Sequence, residues 1–168
     1  MSIGSVLDQA SGAWEGSNGF RLMPTVSLSE FPAAATLLVG AGGCMGTLGY
    51  TWTHPDDGAQ DGLLAFGIAG SNNAIVALWA DSWHQHPEAR VCEGNLDESG
   101  VISLDDEYGN GWRWQIVLDT SKTDVLSLRM HNVIPPEVAT EEISAGPYVV
   151  MSMELHRTRR TTAHRASI

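Results

Sequence analysis

The sequence predicts an all-β protein: a single up-and-down antiparallel β-barrel of about nine or ten strands. Runs of alternating polar and apolar residues recur at short spacing along the chain, whereas the periodicity of amphipathic helices is scarce. The connections between the runs are short and rich in Gly, Asn, Asp and Pro, so neighbouring strands should be antiparallel. An open meander of this length would expose two strand edges, and closure into a barrel removes both.

Each predicted element follows an alternating run and the turn residues that bound it. Residues 5–10 are expected to form one helical turn before the first strand. The run 33–41 contains helix-favouring alanines, but the β-branched residues Thr36 and Val39 favour a strand. In chain order, the predicted strands cover 13–22, 33–41, 44–53, 62–69, 74–87, 90–96, 101–108, 112–118, 125–134 and 147–157.

Length and composition bound the organisation of the chain. Its 168 residues are the length of one domain, with a barrel over 1–157 and a basic tail, 158–168, expected to be disordered. The formal net charge of −11 disfavours binding to nucleic acid. The start lacks a signal-peptide pattern and no apolar run could span a membrane as a helix, so we expect a cytoplasmic protein without a membrane partner. Cys44 and Cys92 are too few for a disulfide framework.

The most informative segment is 74–87, which starts as an apolar strand and becomes polar half-way along. Strand alternation places Asp81 between Trp79 and Trp83 on one face. A carboxylate between two indoles is unusual for a solvated surface, so we expect this face to line a pocket. Asp81 could have a raised pKa and act as a proton carrier, or it could bond a nearby arginine or backbone amide and fix the barrel.

Two histidines follow in the same segment. Alternation puts His84 and His86 on one strand face, where they could bind zinc together with a third ligand. No third ligand is identifiable by spacing, so the polar end of a strand is the preferred interpretation and no metal site is predicted. His84 remains a candidate acid–base group.

Two later strands carry candidate ligand-binding residues, and the inward face of each stays open. In 112–118, Trp112 and Trp114 share one face and Arg113 lies on the other. Either the indoles form a stacking wall, or Arg113 faces the lumen, where it could bind a ligand carboxylate or pair with Asp81. In 128–132, either Met130 and Asn132 face inward, or Arg129 and His131 do, and His131 is a candidate proton carrier.

The motif Gly12-Ala13-Trp14-Glu15-Gly16 resembles the G-x-W start of calycins, the group of lipocalins, fatty-acid-binding proteins and nitrobindin-like barrels. That resemblance implies that Trp14 caps the closed end of a calycin-like barrel. The chain is more closely similar, over residues 5–157, to an uncharacterised bacterial family of calycin-like domains, and this similarity implies the fold but no reaction. The segments that carry it are Gly49-Tyr50 before a D-D-G turn, W-x-D-S-W-H at 79–84, Trp112-Arg113-Trp114, M-x-N at 130–132 and the end at 154–157.

The nitrobindin comparison raises haem as a cofactor. His156 lies at a plausible position for a haem ligand, but residues 153–157 do not reproduce the histidine-bearing segment of that family. We therefore expect no cofactor.

These observations predict a barrel that binds a small, mostly apolar molecule bearing a polar group. The alternative is a cofactor-independent cyclase, lyase or isomerase, with Asp81, His84 and His131 as acid–base groups and Arg113 as the anion-stabilising group. A purely structural domain, whose polar faces form a homodimer interface, is a third hypothesis. The expected ligand-binding residues are Tyr50, Trp79, Trp83, Trp112, Arg113, Trp114, Met130 and Asn132.

Overall fold

A computed structural model describes residues 3–70 and 73–158. A short helix, α1 (Ile3–Leu7), and a 3₁₀ turn (Asp8–Ala10) lead into the first strand. Two more 3₁₀ turns, Ala41–Gly43 and Pro136–Val138, connect later strands. The strands are β1 (Gly12–Phe20), β2 (Ser29–Gly40), β3 (Met45–His54), β4 (Gly58–Ile68), β5 (Ala74–Asp81), β6 (Gln85–Leu96), β7 (Val101–Gly109), β8 (Trp112–Asp119), β9 (Val125–Ile134) and β10 (Gly146–Arg157).

The ten strands form one closed antiparallel barrel, as predicted. Each strand pairs with its neighbours in sequence, and β1 pairs with β10 to close the sheet. Within the described residues, no helix is long and apolar enough to cross a membrane. Of the predicted tail, 159–168 lie outside the described residues.

The prediction of one strand over 74–87 is wrong. β5 ends at Asp81, residues 82–84 form a turn, and β6 begins at Gln85. The cause is local: Asp81 Oδ1 accepts hydrogen bonds from the backbone N–H groups of Trp83, at 2.9 Å, and His84, at 2.8 Å. A side-chain oxygen that captures two following N–H groups turns the chain back. His84 therefore lies in the turn and His86 on the exposed part of β6, so the two do not share a strand face.

One end of the barrel, here called the α1 end, is filled. Ile3 and Leu7 of α1 are fully buried there. Trp14 is 1 % exposed, and its indole Nε1–H donates to the carbonyl oxygen of Ala10 at 3.0 Å. The guanidinium carbon of Arg157 lies 4.3 Å from the centre of the Trp14 ring, a cation–π contact. The middle of the barrel is packed with Leu48, Leu64, Leu104, Ile116, Leu128, Met130 and Met153, and the cavity described below lies toward the other end.

The opposite end, here called the cavity end, has a break in its wall. The β6–β7 ladder joins residues 93–96 to residues 102–105 and does not extend to the first two-thirds of β6. The Arg90 side chain spans this break, because its Nη1 lies 2.8 Å from Asp106 Oδ2. An ion pair thus connects the two strands where backbone hydrogen bonds do not.

Candidate functional site

A cavity of about 250 Å³ lies at the cavity end of the barrel. Its apolar wall is formed by Leu22, Trp79, Trp83, Trp114 and Val150. Its polar groups come from His84, Gln85, Arg90, Tyr108, Asn132 and Tyr148. A concave, mainly aromatic wall with a few convergent polar groups is the usual composition of a small-molecule site.

Beneath the cavity, Asp81 is the centre of a buried hydrogen-bond cluster. Asp81 is 2 % exposed, and its Oδ2 accepts from the Tyr50 hydroxyl at 2.8 Å and from Trp52 Nε1–H at 3.3 Å. Trp79 Nε1–H donates to the Tyr50 hydroxyl oxygen at 2.9 Å. Together with the two backbone N–H groups on Oδ1, four donors saturate this carboxylate.

The Tyr50 ring has room to reach Asp81 because the residue between them is a glycine. In the ladder, Gly62 pairs with Tyr50 on one side and with Asp81 on the other. A Cβ at Gly62 would lie 2.1 Å from Tyr50 Cζ, which is impossible without displacing the ring. Burial raises the pKa of Tyr50 well above its ordinary value and the Asp81 carboxylate raises it further, so the hydroxyl stays protonated and donates.

His84 lies in the turn after β5, and its side chain packs into the aromatic wall of the cavity. Its ring stacks on Trp52, with centroids 5.0 Å apart and planes at 15°, and lies 5.3 Å from the Trp114 ring. Burial lowers the pKa of His84 to about 4, although the Asp81 carboxylate opposes this shift, so the imidazole is neutral near pH 7. Its Nε2 is buried and has no hydrogen-bond partner among the described residues.

The three indoles of the wall differ in how their N–H groups are used. Trp79 donates to Tyr50, and Trp83 donates to Asp57 Oδ2 at 2.7 Å. Trp114 stacks on Trp79, with centroids 5.8 Å apart and planes at 10°, but its buried Nε1 has no partner in the described part of the chain. Trp114 therefore brings an uncommitted donor to the cavity wall.

The polar side chains at the rim of the cavity hydrogen-bond to neighbouring protein groups. The Tyr108 hydroxyl donates to Asn132 Oδ1 at 2.8 Å, and the Tyr148 hydroxyl donates to the Leu22 carbonyl at 2.9 Å. Arg90 Nε–H donates to Gln85 Oε1 at 3.1 Å while its Nη1 pairs with Asp106. These contacts fix the shape of the rim and neutralise the cation that lines it.

Several sequence-predicted site residues meet at this site. Trp79, Trp83, His84, Trp114 and Asn132 line the cavity, and they come from three strands and the turn after β5. Tyr50 and Asp81 lie directly beneath, connected to the wall through Trp79.

Other predicted residues do not line the cavity. Arg113 is on the outer face, where its guanidinium pairs with Asp105 at 2.7 Å and not with Asp81. Met130 is fully buried in the core, and Trp112 lies at the rim, 6.4 Å from the Tyr108 ring. His131 alternates with Met130 and so lies on the outer side of β9, half-buried, where burial lowers its pKa. Of the expected acid–base groups, only His84 lines the cavity.

Some site residues were missed by sequence reasoning. Trp52 shares a face with Tyr50 by simple alternation, so that signal was available. Arg90 shares a face of β6 with the buried Cys92, and Tyr108 shares a face of β7 with the buried Leu104, so alternation was also an available signal for these two cavity residues. Beyond residue 150, the inward side chains of β10 are Met151 and Met153. A β-bulge between Val149 and Met151 shifts the register, so before it Tyr148 and Val150 face inward instead.

The structure also bears on the residues considered above for zinc and haem. Among residues 3–70 and 73–158, no group of three or more His, Cys, Asp or Glu side chains could hold a metal ion. His156 is exposed on β10 and pairs with Glu15 and Val125, near the α1 end and away from the cavity.

No protein-family model matches the chain, and no curated protein matches it significantly.

Proposed function

We propose that this barrel binds a small, mostly apolar molecule with a flat ring system in the cavity of about 250 Å³. The observation that carries the proposal is the wall itself: the indoles of Trp79, Trp83 and Trp114 surround a space beside the neutral imidazole of His84. Flat ligands stack on such surfaces at low entropic cost, because the rings are already held in place.

The rigidity of the wall supports binding by a preformed site. Trp79 is held by Tyr50, Trp83 by Asp57, and His84 by its stacking on Trp52. The break between β6 and β7 lies next to the cavity and is spanned by the part-buried ion pair of Arg90 and Asp106. A ligand could enter there when that ion pair opens.

A titration of tryptophan fluorescence with 2-naphthol tests the proposal. Val150 lines the cavity, so Val150→Phe should fill part of it and weaken binding at least tenfold. Leu38→Phe, at a side chain that is 57 % exposed outside the barrel, is the matched control and should bind as the unmodified protein does. Equal binding by both variants would place the ligand elsewhere and refute the proposal.

We also propose that the barrel belongs to the calycins. Trp14 supports this, because it closes the α1 end between the Ala10 carbonyl and the Arg157 guanidinium, as the G-x-W resemblance implies. We favour a binding protein over the acid–base enzyme, which stays a prediction, because Arg113 and His131 are on the outer face and the Asp81 carboxylate already accepts four hydrogen bonds. The homodimer also stays a prediction.

A further inference from the structure

The cavity wall carries two buried nitrogens without partners, and they belong to adjacent rings. Trp114 Nε1 and His84 Nε2 are both buried, and both lack a hydrogen-bond partner among the described residues. Both side chains line the same cavity, and their ring centroids are 5.3 Å apart. Buried polar atoms are bonded in most native structures, so two orphans side by side indicate a place where a ligand supplies the bonds.

We propose that the ligand of this cavity carries a neutral hydroxyl group, seated between Trp114 Nε1 and His84 Nε2. The oxygen accepts the indole N–H of Trp114, and the O–H donates to Nε2 of His84 in the neutral tautomer that carries its proton on Nδ1. One hydroxyl has both a donor and acceptor lone pairs, so it satisfies both nitrogens at once. This inference rests on the proposed function and narrows its ligand to an aromatic alcohol.

The charges around the cavity disfavour an anionic ligand. Arg90 is the cation among the described residues that line the cavity, and it is already paired with Asp106 at 2.8 Å. The low pKa of His84 keeps the imidazole uncharged at neutral pH, so it offers no positive charge either. A carboxylate placed here would lose its hydration without gaining a counter-ion.

The hydrogen-bonding pattern also disfavours a purely apolar ligand. A hydrocarbon filling the cavity would leave the indole N–H and Nε2 permanently unbonded and desolvated. Sites built to bond a hydroxyl discriminate against the analogue that lacks it, because their own polar groups are then left unpaired.

Three probes of similar shape separate these cases: 2-naphthol, 2-methylnaphthalene and 2-naphthoate. Their dissociation constants are measured at pH 7 by tryptophan fluorescence or calorimetry. We expect 2-naphthol to bind roughly tenfold tighter than 2-methylnaphthalene. We expect 2-naphthoate to bind most weakly. This comparison uses the unmodified protein and so does not depend on any variant folding.

Two tryptophan variants then locate the hydroxyl. Trp114→Phe keeps an aromatic wall but removes the donor, and should reduce the preference for 2-naphthol over 2-methylnaphthalene to about threefold or less. Trp112→Phe is the matched control: this rim indole belongs to the same strand but does not line the cavity, so the preference should be unchanged.

The outcomes are distinguishable. If no probe binds, the proposed function fails, and the hydroxyl inference fails with it. If 2-methylnaphthalene binds as tightly as 2-naphthol, or 2-naphthoate binds tightest, the cavity binds ligands but the hydroxyl inference is overturned. A preference for 2-naphthol that survives Trp114→Phe overturns the assigned position.

Discussion

The Tyr50 hydroxyl donates to Asp81 Oδ2 at 2.8 Å across an intervening strand, over a residue that has no side chain. The glycine between them, Gly62, makes this contact possible. Through it the cavity wall is connected to the turn after β5, because Asp81 holds that turn and Tyr50 holds Trp79. The rings of the wall and the turn that carries His84 are thus fixed by one cluster.

Gly62→Ala should strongly destabilise the protein. The added methyl group would overlap the Tyr50 ring, and relieving the overlap means displacing Tyr50 from Asp81. We expect the free energy of unfolding to fall by about 2–3 kcal/mol in urea denaturation. Gly49→Ala is the control, because a Cβ there meets nothing within 4 Å, and it should change stability by less than about 0.5 kcal/mol. Similar losses in both variants would contradict the packing described here.

Asp81→Asn should lower the free energy of unfolding. The asparagine carbonyl can still accept the two turn N–H groups, but its NH₂ cannot accept from Tyr50 and Trp52. Leaving these buried donors without an acceptor should cost about 2–4 kcal/mol. Urea denaturation checks this, with the exposed Asp61→Asn as a near-neutral control. An Asp81→Asn protein as stable as the original would show that the carboxylate is free, as a proton carrier requires.

The neutral state of His84 makes stability depend on pH. In the unfolded chain His84 binds a proton below about pH 6.5. In the folded chain it does so only near pH 4. Between these values the unfolded state binds more protons, so the free energy of unfolding falls as the pH falls.

We expect this histidine to account for a loss of about 1–2 kcal/mol between pH 7 and pH 5. His84→Phe, which keeps an aromatic ring against Trp52, should remove that part of the pH dependence. His86→Gln, at an exposed position, should keep it. Identical pH profiles for the original protein and His84→Phe would mean that the imidazole is already charged or solvated in the folded state.

The two cysteines should differ sharply in reactivity. Cys44 is exposed, whereas Cys92 faces the barrel interior and is 2 % exposed. Burial, with a smaller contribution from the nearby Asp106 carboxylate, raises the pKa of Cys92 to about 11, so little thiolate forms at pH 8. Ellman's reagent should modify one thiol rapidly and the second only after unfolding, and Cys44→Ser should abolish the rapid phase. Two rapid thiols would contradict the inward orientation of Cys92.

Much of the fold was predictable because alternation and turn residues are local signals. β9 covers Val125–Ile134, the same residues as its predicted strand, and the turn predicted at Thr120–Thr123 separates it from β8. The turn after β5 was not predictable in this way. It contains no glycine, and it forms because the Asp81 side chain captures the N–H groups of Trp83 and His84.

The inward face of each strand was harder to predict than the strand itself. Alternation separates Trp114 from Arg113, but only the register with neighbouring strands decides which one faces inward. Asp105 on β7 gives Arg113 a partner outside the barrel, and a pairing across strands of this kind has no signature in the local sequence. The same holds for the room that Gly62 leaves for Tyr50.

The most direct test of the binding cavity uses the six tryptophans as resolved probes. In ¹H–¹⁵N correlation spectra, each indole N–H gives its own resonance, assignable by single Trp→Phe variants. On addition of 2-naphthol, the account predicts large shifts for Trp114 and Trp79 at the cavity, and none for Trp14 at the α1 end. Shifts confined to Trp14, or absent from the cavity indoles at saturation, would contradict it.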